Sequence, residues 1–246
     1  MKNTNLKFIY QALFYLSFLC LCACVTPNIT THENEIWPLS KVTKKDRNRE
    51  ISILLIDTID IKKLKYLKKV QGYSCSKNYR RASVKAAIEM LSQLDSVPHL
   101  VIRRLDSIPS NIVKLKGLLN LSLVDANMED LPESICQFDK LNSLMVGYSF
   151  STHSGIHGDY YYCEHKINKL PNSFSKLTNL EYLTLSGTAI TTFPMLLCDF
   201  KKLIYLNISD TAMDSIPDCI CNTKKTIESY QSNLFEKLPC KSSIEH

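Results

Sequence analysis

"LPNSFSKLTNLEYLTLSGTAITT", Leu170 to Thr192, decides the fold, because the residues after it repeat its apolar pattern. "FPMLLCDFKKLIYLNISDTAMDS" follows from Phe193 and "IPDCICNTKKTIESYQSNLFEK" from Ile216. Upstream, "IPSNIVKLKGLLNLSLVDANMED" begins at Ile108, and Leu131 opens a fifth unit, "LPESICQFDKLNSLMV". Successive openings are 23, 39, 23 and 23 residues apart. A degenerate earlier copy ends in "HLVIRRLDS", where Leu100, Leu105 and Ile108 match the offsets of Leu185, Ile190 and Phe193.

Each unit alternates Leu-x-Leu, as at Leu183 and Leu185, which points both side chains to one face of a short strand. Leu170, Phe174 and Leu177 return on a turn or short helix. One unit cannot bury that set alone, but stacked units can, with strands about 4.8 Å apart and equivalent leucines in columns. A helical bundle is excluded by proline at 109, 132, 171, 194 and 217, where it starts or breaks a helix.

The template L-P-x-x-I-x-x-L-x-x-L-x-x-L-x-L-x-x-T-x-I resembles the leucine-rich repeat family in its 23-residue "LP" form, over about residues 97 to 239. The resemblance implies an α/β leucine-rich repeat solenoid, with parallel strands on the concave face and short helices or turns on the convex face. It departs from the family where an Asn usually follows the strand: Ala126, Thr188 and Thr211 stand there, so a Thr hydroxyl would accept the turn's backbone donors less completely. Residues 49–96 read as an N-terminal α/β cap over the first repeat. "REISILLIDTID" is its strand and "NYRRASVKAAIEMLSQL" its helix, with Val84, Ala87, Ile88 and Leu91 as the apolar stripe. Residues 240–246 form a tail.

Before the cap, residues 1–23 read as an export signal, with Lys2 and Lys7, an apolar run and no acid. The end, "LCAC", resembles the lipobox of bacterial lipoproteins, with Leu21, small Ala23 and Cys24, although Cys22 departs from the usual Ala or Ser. By that resemblance Cys24 becomes the first mature residue and carries lipid, in preference to Cys20 or Cys22; the alternative is a cleaved secretory signal with an incidental cysteine. Residues 24–48, polar with two prolines, read as a tether. The expectation is an exported chain, lipid-anchored to a bacterial cell envelope, with the outer membrane favoured because Val25 is not an acidic retention signal.

Formal net charge is +6, unevenly spread. Residues 41–85 carry fourteen Lys or Arg against four acids, and residues 86–246 fourteen against eighteen. A basic segment beside a tether could rest on anionic headgroups or simply be the solvated face of a cap. Export and the acidic remainder disfavour nucleic acid.

Seven cysteines follow Cys24. Cys136, Cys198 and Cys221 hold the sixth place of their units, where Ser175 stands in another, and read as free thiols in a small-residue slot. Cys219 and Cys240 are the expected bridge, with Cys163 and Cys75 a weaker pair.

Val146 matches Leu185 and Ile167 matches Ile190, so 16 extra residues interrupt one unit, within Gly147–Lys166. This insertion holds Tyr148, Tyr160, Tyr161 and Tyr162, which either grip a partner or pack the loop onto the solenoid. It also holds His153, His157, Cys163 and His165, residue types zinc accepts, in a spacing that matches no structural zinc module. Flanking the buried leucines, Asn120, Ser122, Asp125, Ser143, Met145, Tyr148, Tyr182, Thr184, Tyr205, Asn207 and Asp210 point to the concave face of about five strands.

After Cys24 there is no G-x-S-x-G, H-E-x-x-H, G-x-x-x-x-G-K-[ST] or C-x-x-C motif. Ser74-x-x-Lys77 and Ser173-x-x-Lys176 lack the S-D-N and K-T-G partners of S-x-x-K chemistry. The expectation is therefore a non-enzymatic protein without cofactor that binds a protein partner through the concave face and the insertion. A metal-binding role for the insertion's His and Cys residues, or an envelope spacer, are the alternatives.

Overall fold

A computed structural model describes residues 36–38, 42–47, 52–54, 59–67, 72–76, 81–103, 105–124, 127–147, 166–221 and 226–228. Nine strands form one parallel sheet whose spatial order is the chain order. They are β1 (Ile36–Pro38), β2 (Ser52–Leu54), β3 (Gly72–Ser76), β4 (His99–Arg103), β5 (Asn120–Val124), β6 (Ser143–Gly147), β7 (Tyr182–Thr184), β8 (Tyr205–Asn207) and β9 (Thr226–Glu228). Each coil adds one strand and returns along the convex side, so the chain folds as an α/β leucine-rich repeat solenoid.

The return arms follow from proline. Short 3-10 helices at Ser110–Lys114, Glu133–Gln137, Asn172–Lys176 and Met195–Asp199, then an α-helical turn at Asp218–Cys221, each begin one residue after the unit's proline. Proline's fixed φ and missing N–H suit the entry to a helix, and its carbonyl accepts the first hydrogen bond. Ile112, Ile135, Phe174, Leu197 and Ile220 N–H donate to Pro109, Pro132, Pro171, Pro194 and Pro217 C=O at 2.9–3.2 Å.

Alternation along the strands and this turn fill one continuous core. Leu100, Leu121, Leu144, Leu183 and Leu206 are in register across β4 to β8. All are at most 1% exposed, and Leu123, Leu185 and Ile208 are fully buried. Where each coil enters its strand, two successive N–H groups share one carbonyl of the coil before: Leu119 and Asn120 donate to Pro98, Asn142 and Ser143 to Leu119, Glu181 and Tyr182 to Asn142, Ile204 and Tyr205 to Glu181. Backbone pairing and side-chain burial therefore enforce the same register.

The N-terminal region departs from the expected cap in three ways. β1 to β3 continue the parallel sheet, so the stretch read as a cap contributes coils of the stack. β1 and a 3-10 turn at Lys44–Asp46 lie inside the stretch read as a tether, so described strands precede those of the repeats on the same sheet. Leu100 stands in the column of Leu183, not Leu185, so the degenerate copy is displaced by two residues. A two-residue shift preserves the inward face of a strand, which is why the offset match could mislead. Among the described residues of "REISILLIDTID", Ser52–Leu54 is strand and the last two open the 3-10 helix Ile59–Tyr66. Helix α1 (Arg81–Leu91) buries Val84, Ala87, Ile88 and Leu91 as its period predicts. It takes the place of a 3-10 turn and is tied to the next one: Asn111 Nδ2 donates to Lys85 C=O at 3.1 Å, and Lys114 pairs with Glu89 at 3.1 Å.

The disulfide also differs from expectation. Cys198 is bonded to Cys219, with Cα atoms 5.6 Å apart. Cys198 is thus not free and Cys219 is not available to Cys240. Comparing equal offsets down a column misses this pair, because helical turns on the convex side bring the sixth residue of one unit beside the fourth of the next. Cys136 is a free, buried thiol as expected, and burial pushes its pKa up to about 11. Cys163 and Cys240 lie outside the described residues.

Two contacts hold register across the insertion. Gly147 ends β6 at φ 146°, and a Cβ there would lie 2.1 Å from Ser186 C=O, so only glycine lets the next coil come this close. On the convex side, Glu133 accepts from Asn172 N–H at 2.8 Å and Ser173 N–H at 3.0 Å, capping a helix whose own N-cap proline has no side-chain oxygen. The Ser173 hydroxyl and backbone donors hold the exposed Glu133 carboxyl below its usual range. A depressed folded-state pKa gives stability that is present above the unfolded value and lost as pH falls through the folded one. Glu133→Gln is therefore expected to lower the urea midpoint at pH 7 and to leave it unchanged near pH 2; equal differences at both pH values would refute the cap.

Candidate functional site

Strand alternation places two columns on the concave side. The outer positions of β4 to β8 align His99, Asn120, Ser143, Tyr182 and Tyr205, and the next inward-skipping positions align Val101, Ser122, Met145, Thr184 and Asn207. The structure divides these residues by size. Asn120, Ser122, Ser143 and Asn207 are buried and offer little surface to a partner, because short side chains between strands about 4.8 Å apart are overshadowed by their neighbours. Met145, Tyr182, Thr184 and Tyr205 are half-exposed.

The two buried asparagines have internal partners. Asn120 Nδ2 lies 2.6 Å from His99 Nδ1, and burial lowers the His99 pKa, so a neutral ring accepts from the amide. Asn207 Oδ1 accepts from Ser209 N–H at 2.9 Å, folding the chain into the turn after β8. Asn207 Nδ2 reaches the Tyr205 hydroxyl at 3.4 Å.

What remains open is centred on β6 to β8. The Tyr182 and Tyr205 rings are tilted 40° with centroids 6.4 Å apart, the spacing of an edge-on aromatic pair. Burial, then Glu181, raises the Tyr182 pKa, so its phenol stays protonated at neutral pH. The described site is thus an aromatic patch flanked by a thioether and a hydroxyl, with Glu181 beside it. It can pack against apolar surface and exchange hydrogen bonds at the ring edges, and among the described residues it brings together no nucleophile with an adjacent base.

Asp210 occupies the turn after β8 with φ 54°, the place Gly187 fills at φ 70° one unit earlier. Its exposed carboxylate is carried on a left-handed turn that Asp tolerates better than most residues. In the Thr column behind this turn, Thr188 Oγ1 donates to Leu185 C=O at 2.7 Å and Thr211 Oγ1 to Ile208 C=O at 2.8 Å, so each hydroxyl spends its proton on the carbonyl three residues back.

Sequence reading missed a groove of about 590 Å³ on the turns after β4 and β5, bordered by Asp106, Asn127, Glu129, Asp130 and Lys166. Its polar residues fall between the repeat's apolar positions, where the template is silent, and Ile108 and Pro132 of the template complete its lining. Asp125, Tyr148, Tyr160, Tyr161 and Tyr162, and the metal-ligand types His153, His157, Cys163 and His165, lie outside the described residues. Among the described residues no cluster of three or more His, Cys, Asp or Glu could hold a metal ion.

No protein-family model matches this sequence, and no curated protein sequence does. Among solved structures, the chain is similar to an internalin from Listeria monocytogenes at 15% identity and TM-score 0.47, covering 78% of this chain and 56% of that one. A leucine-rich repeat protein of Leptospira interrogans is 18% identical at TM-score 0.42, covering 74% and 53%. The Arabidopsis receptor kinase HAESA, solved with the peptide hormone IDA and the co-receptor SERK1, is 18% identical at TM-score 0.45, covering 74% and 28%. The chain spans about half the length of the two bacterial structures and about a quarter of the plant one.

If Asp210 is a turn residue first, Asp210→Gly is expected to keep or raise the melting temperature, and Asp210→Val to lower stability by about 1–2 kcal/mol, since a β-branched side chain is strained at positive φ. Calorimetry of the two variants checks this. A Val variant as stable as the parent would contradict it.

Proposed function

We propose that this chain is a non-catalytic protein, lipid-anchored on a bacterial envelope through Cys24, that binds a protein partner through the concave face of β6 to β8. The observation that carries the reading is the half-exposed Tyr182–Tyr205 pair beside the half-exposed Met145 and Thr184 on one face of the sheet. Tyr and Met are enriched where proteins meet, and aromatic anchors carry a large share of binding energy. Solenoids present such faces as extended binding surfaces. Tyr148, Tyr160, Tyr161 and Tyr162 of the insertion also belong to the proposed partner-binding set.

Two observations support the location. Residues 1–24 have the charge, apolar run and terminal cysteine of a lipoprotein signal. The Cys198–Cys219 bond belongs to oxidising compartments, outside the cytosol of ordinary bacteria. The outer membrane is the favoured site, on the residue after Cys24.

The test is proximity crosslinking in cells, with a photoreactive amino acid replacing Thr184. A discrete crosslinked protein is expected, and Tyr182→Ala with Tyr205→Ala should cut its yield at least tenfold, the loss of a two-residue hot spot worth about 2 kcal/mol or more. Metabolic palmitate labelling that depends on Cys24 checks the anchor separately. No crosslink from this face, with the variant still folded, would overturn partner binding and leave an envelope spacer.

A further inference from the structure

Five basic side chains, Lys44, Lys45, Arg47, Lys65 and Lys85, are exposed on the convex side of the first coils. The elements bearing them touch in series: the Lys44–Asp46 turn packs on the Ile59–Tyr66 helix, that helix on α1, and α1 on Ser110–Lys114. None of the five makes an ion pair with a described residue.

Two described acids lie among these elements, and both have partners of their own. Asp46 is buried, its Oδ2 accepting from Thr43 N–H and Oγ1 at 2.9 Å each. Glu89 is hydrogen-bonded by Asn111 and Lys114 and feels the charge of Lys85 more weakly, without a direct contact. Residues 41–85 carry a net +10, whereas residues 86–246 carry a net −4. The excess of basic over acidic residues thus lies in the sequence of the first coils.

We propose that this row docks on the anionic phospholipid headgroups of the membrane that carries the chain, so that the convex side of the first coils lies on the lipid surface. The proposal rests on the anchored reading above. Cys24 lies 12 residues before Ile36, a reach of at most about 40 Å, so an anchored chain keeps this end near the bilayer. A flat anionic surface meets only the basic end, whereas a long nucleic acid would also run along the net-negative coils. Each basic side chain at such a surface contributes about a fivefold gain in partitioning. Docking by the convex side leaves the Tyr182–Tyr205 face turned away from lipid and open to a partner.

Full-length protein reconstituted in vesicles tests this through lysine acetylation rates read by mass spectrometry. Vesicles of phosphatidylcholine alone are compared with vesicles containing about 30% phosphatidylglycerol. Lys44, Lys45, Lys65 and Lys85 are expected to react at least fivefold more slowly on the anionic vesicles, with Lys201 and Lys202 unchanged. The protection should vanish at about 0.5 M salt, where screening shortens to a few ångströms. Equal rates on both vesicles, or protection by added transfer RNA but not by phosphatidylglycerol, would overturn the proposal. Flotation with phosphatidylcholine vesicles reads the anchor by itself, so loss of flotation sinks the anchored reading, while unprotected lysines on floating vesicles sink only this one.

Discussion

Each coil of this chain is insoluble in its own company. A unit such as Leu170–Thr192 carries a strand and a turn whose leucines, isoleucine and phenylalanine have no partners within the unit. They reach water unless another coil lies on either side. Burying one leucine is worth about 1.5–3 kcal/mol, and every coil buries several in the columns that run through Leu121, Leu144, Leu183 and Leu206. Stability is therefore a sum of interfaces between neighbours in sequence, and no contact between distant ends is needed. The parallel sheet, the proline-started turns and the shared carbonyls at each strand entry are consequences of keeping those columns aligned.

The insertion is the place where that alignment is most exposed to failure. Sixteen extra residues separate Val146 from its matching turn, yet β6 and β7 remain paired with Leu144 opposite Leu183. Glycine at 147 permits the close approach on the sheet side, and Glu133 reaches across to the Asn172–Lys176 helix on the other. Toward the C-terminal end, the Cys198–Cys219 bond ties two successive return arms, and a closure of this length is worth about 3 kcal/mol.

The repeats from Ile108 onward were legible because burial acts on a fixed period, and a period survives substitution of any one residue. The early coils were not. Their apolar residues serve the same columns, but α1 replaces a short turn and coil lengths vary, so no constant spacing marks them. Slippage by two residues, as at Leu100, is invisible to a pattern of period two. The disulfide was missed because turns, unlike strands, bring unequal offsets together. On the concave face the sequence identified which residues point inward from the sheet, but not which stay accessible. That depends on the size of the neighbours: Tyr182 and Tyr205 stand clear, while Asn120 and Asn207 are spent on His99 and on the turn to Ser209.

The two sides of the stack thus differ in what they can meet. One is aromatic at β6 to β8, the other basic at its N-terminal end, and both exist only if the coils pile in register. Methyl–methyl nuclear Overhauser spectroscopy on leucine-labelled protein measures that register directly. The account requires cross-peaks joining Leu121 to Leu144, Leu144 to Leu183 and Leu183 to Leu206, in an unbroken series across the insertion. A missing Leu144–Leu183 contact, with the other two present, would show two separate stacks and contradict it.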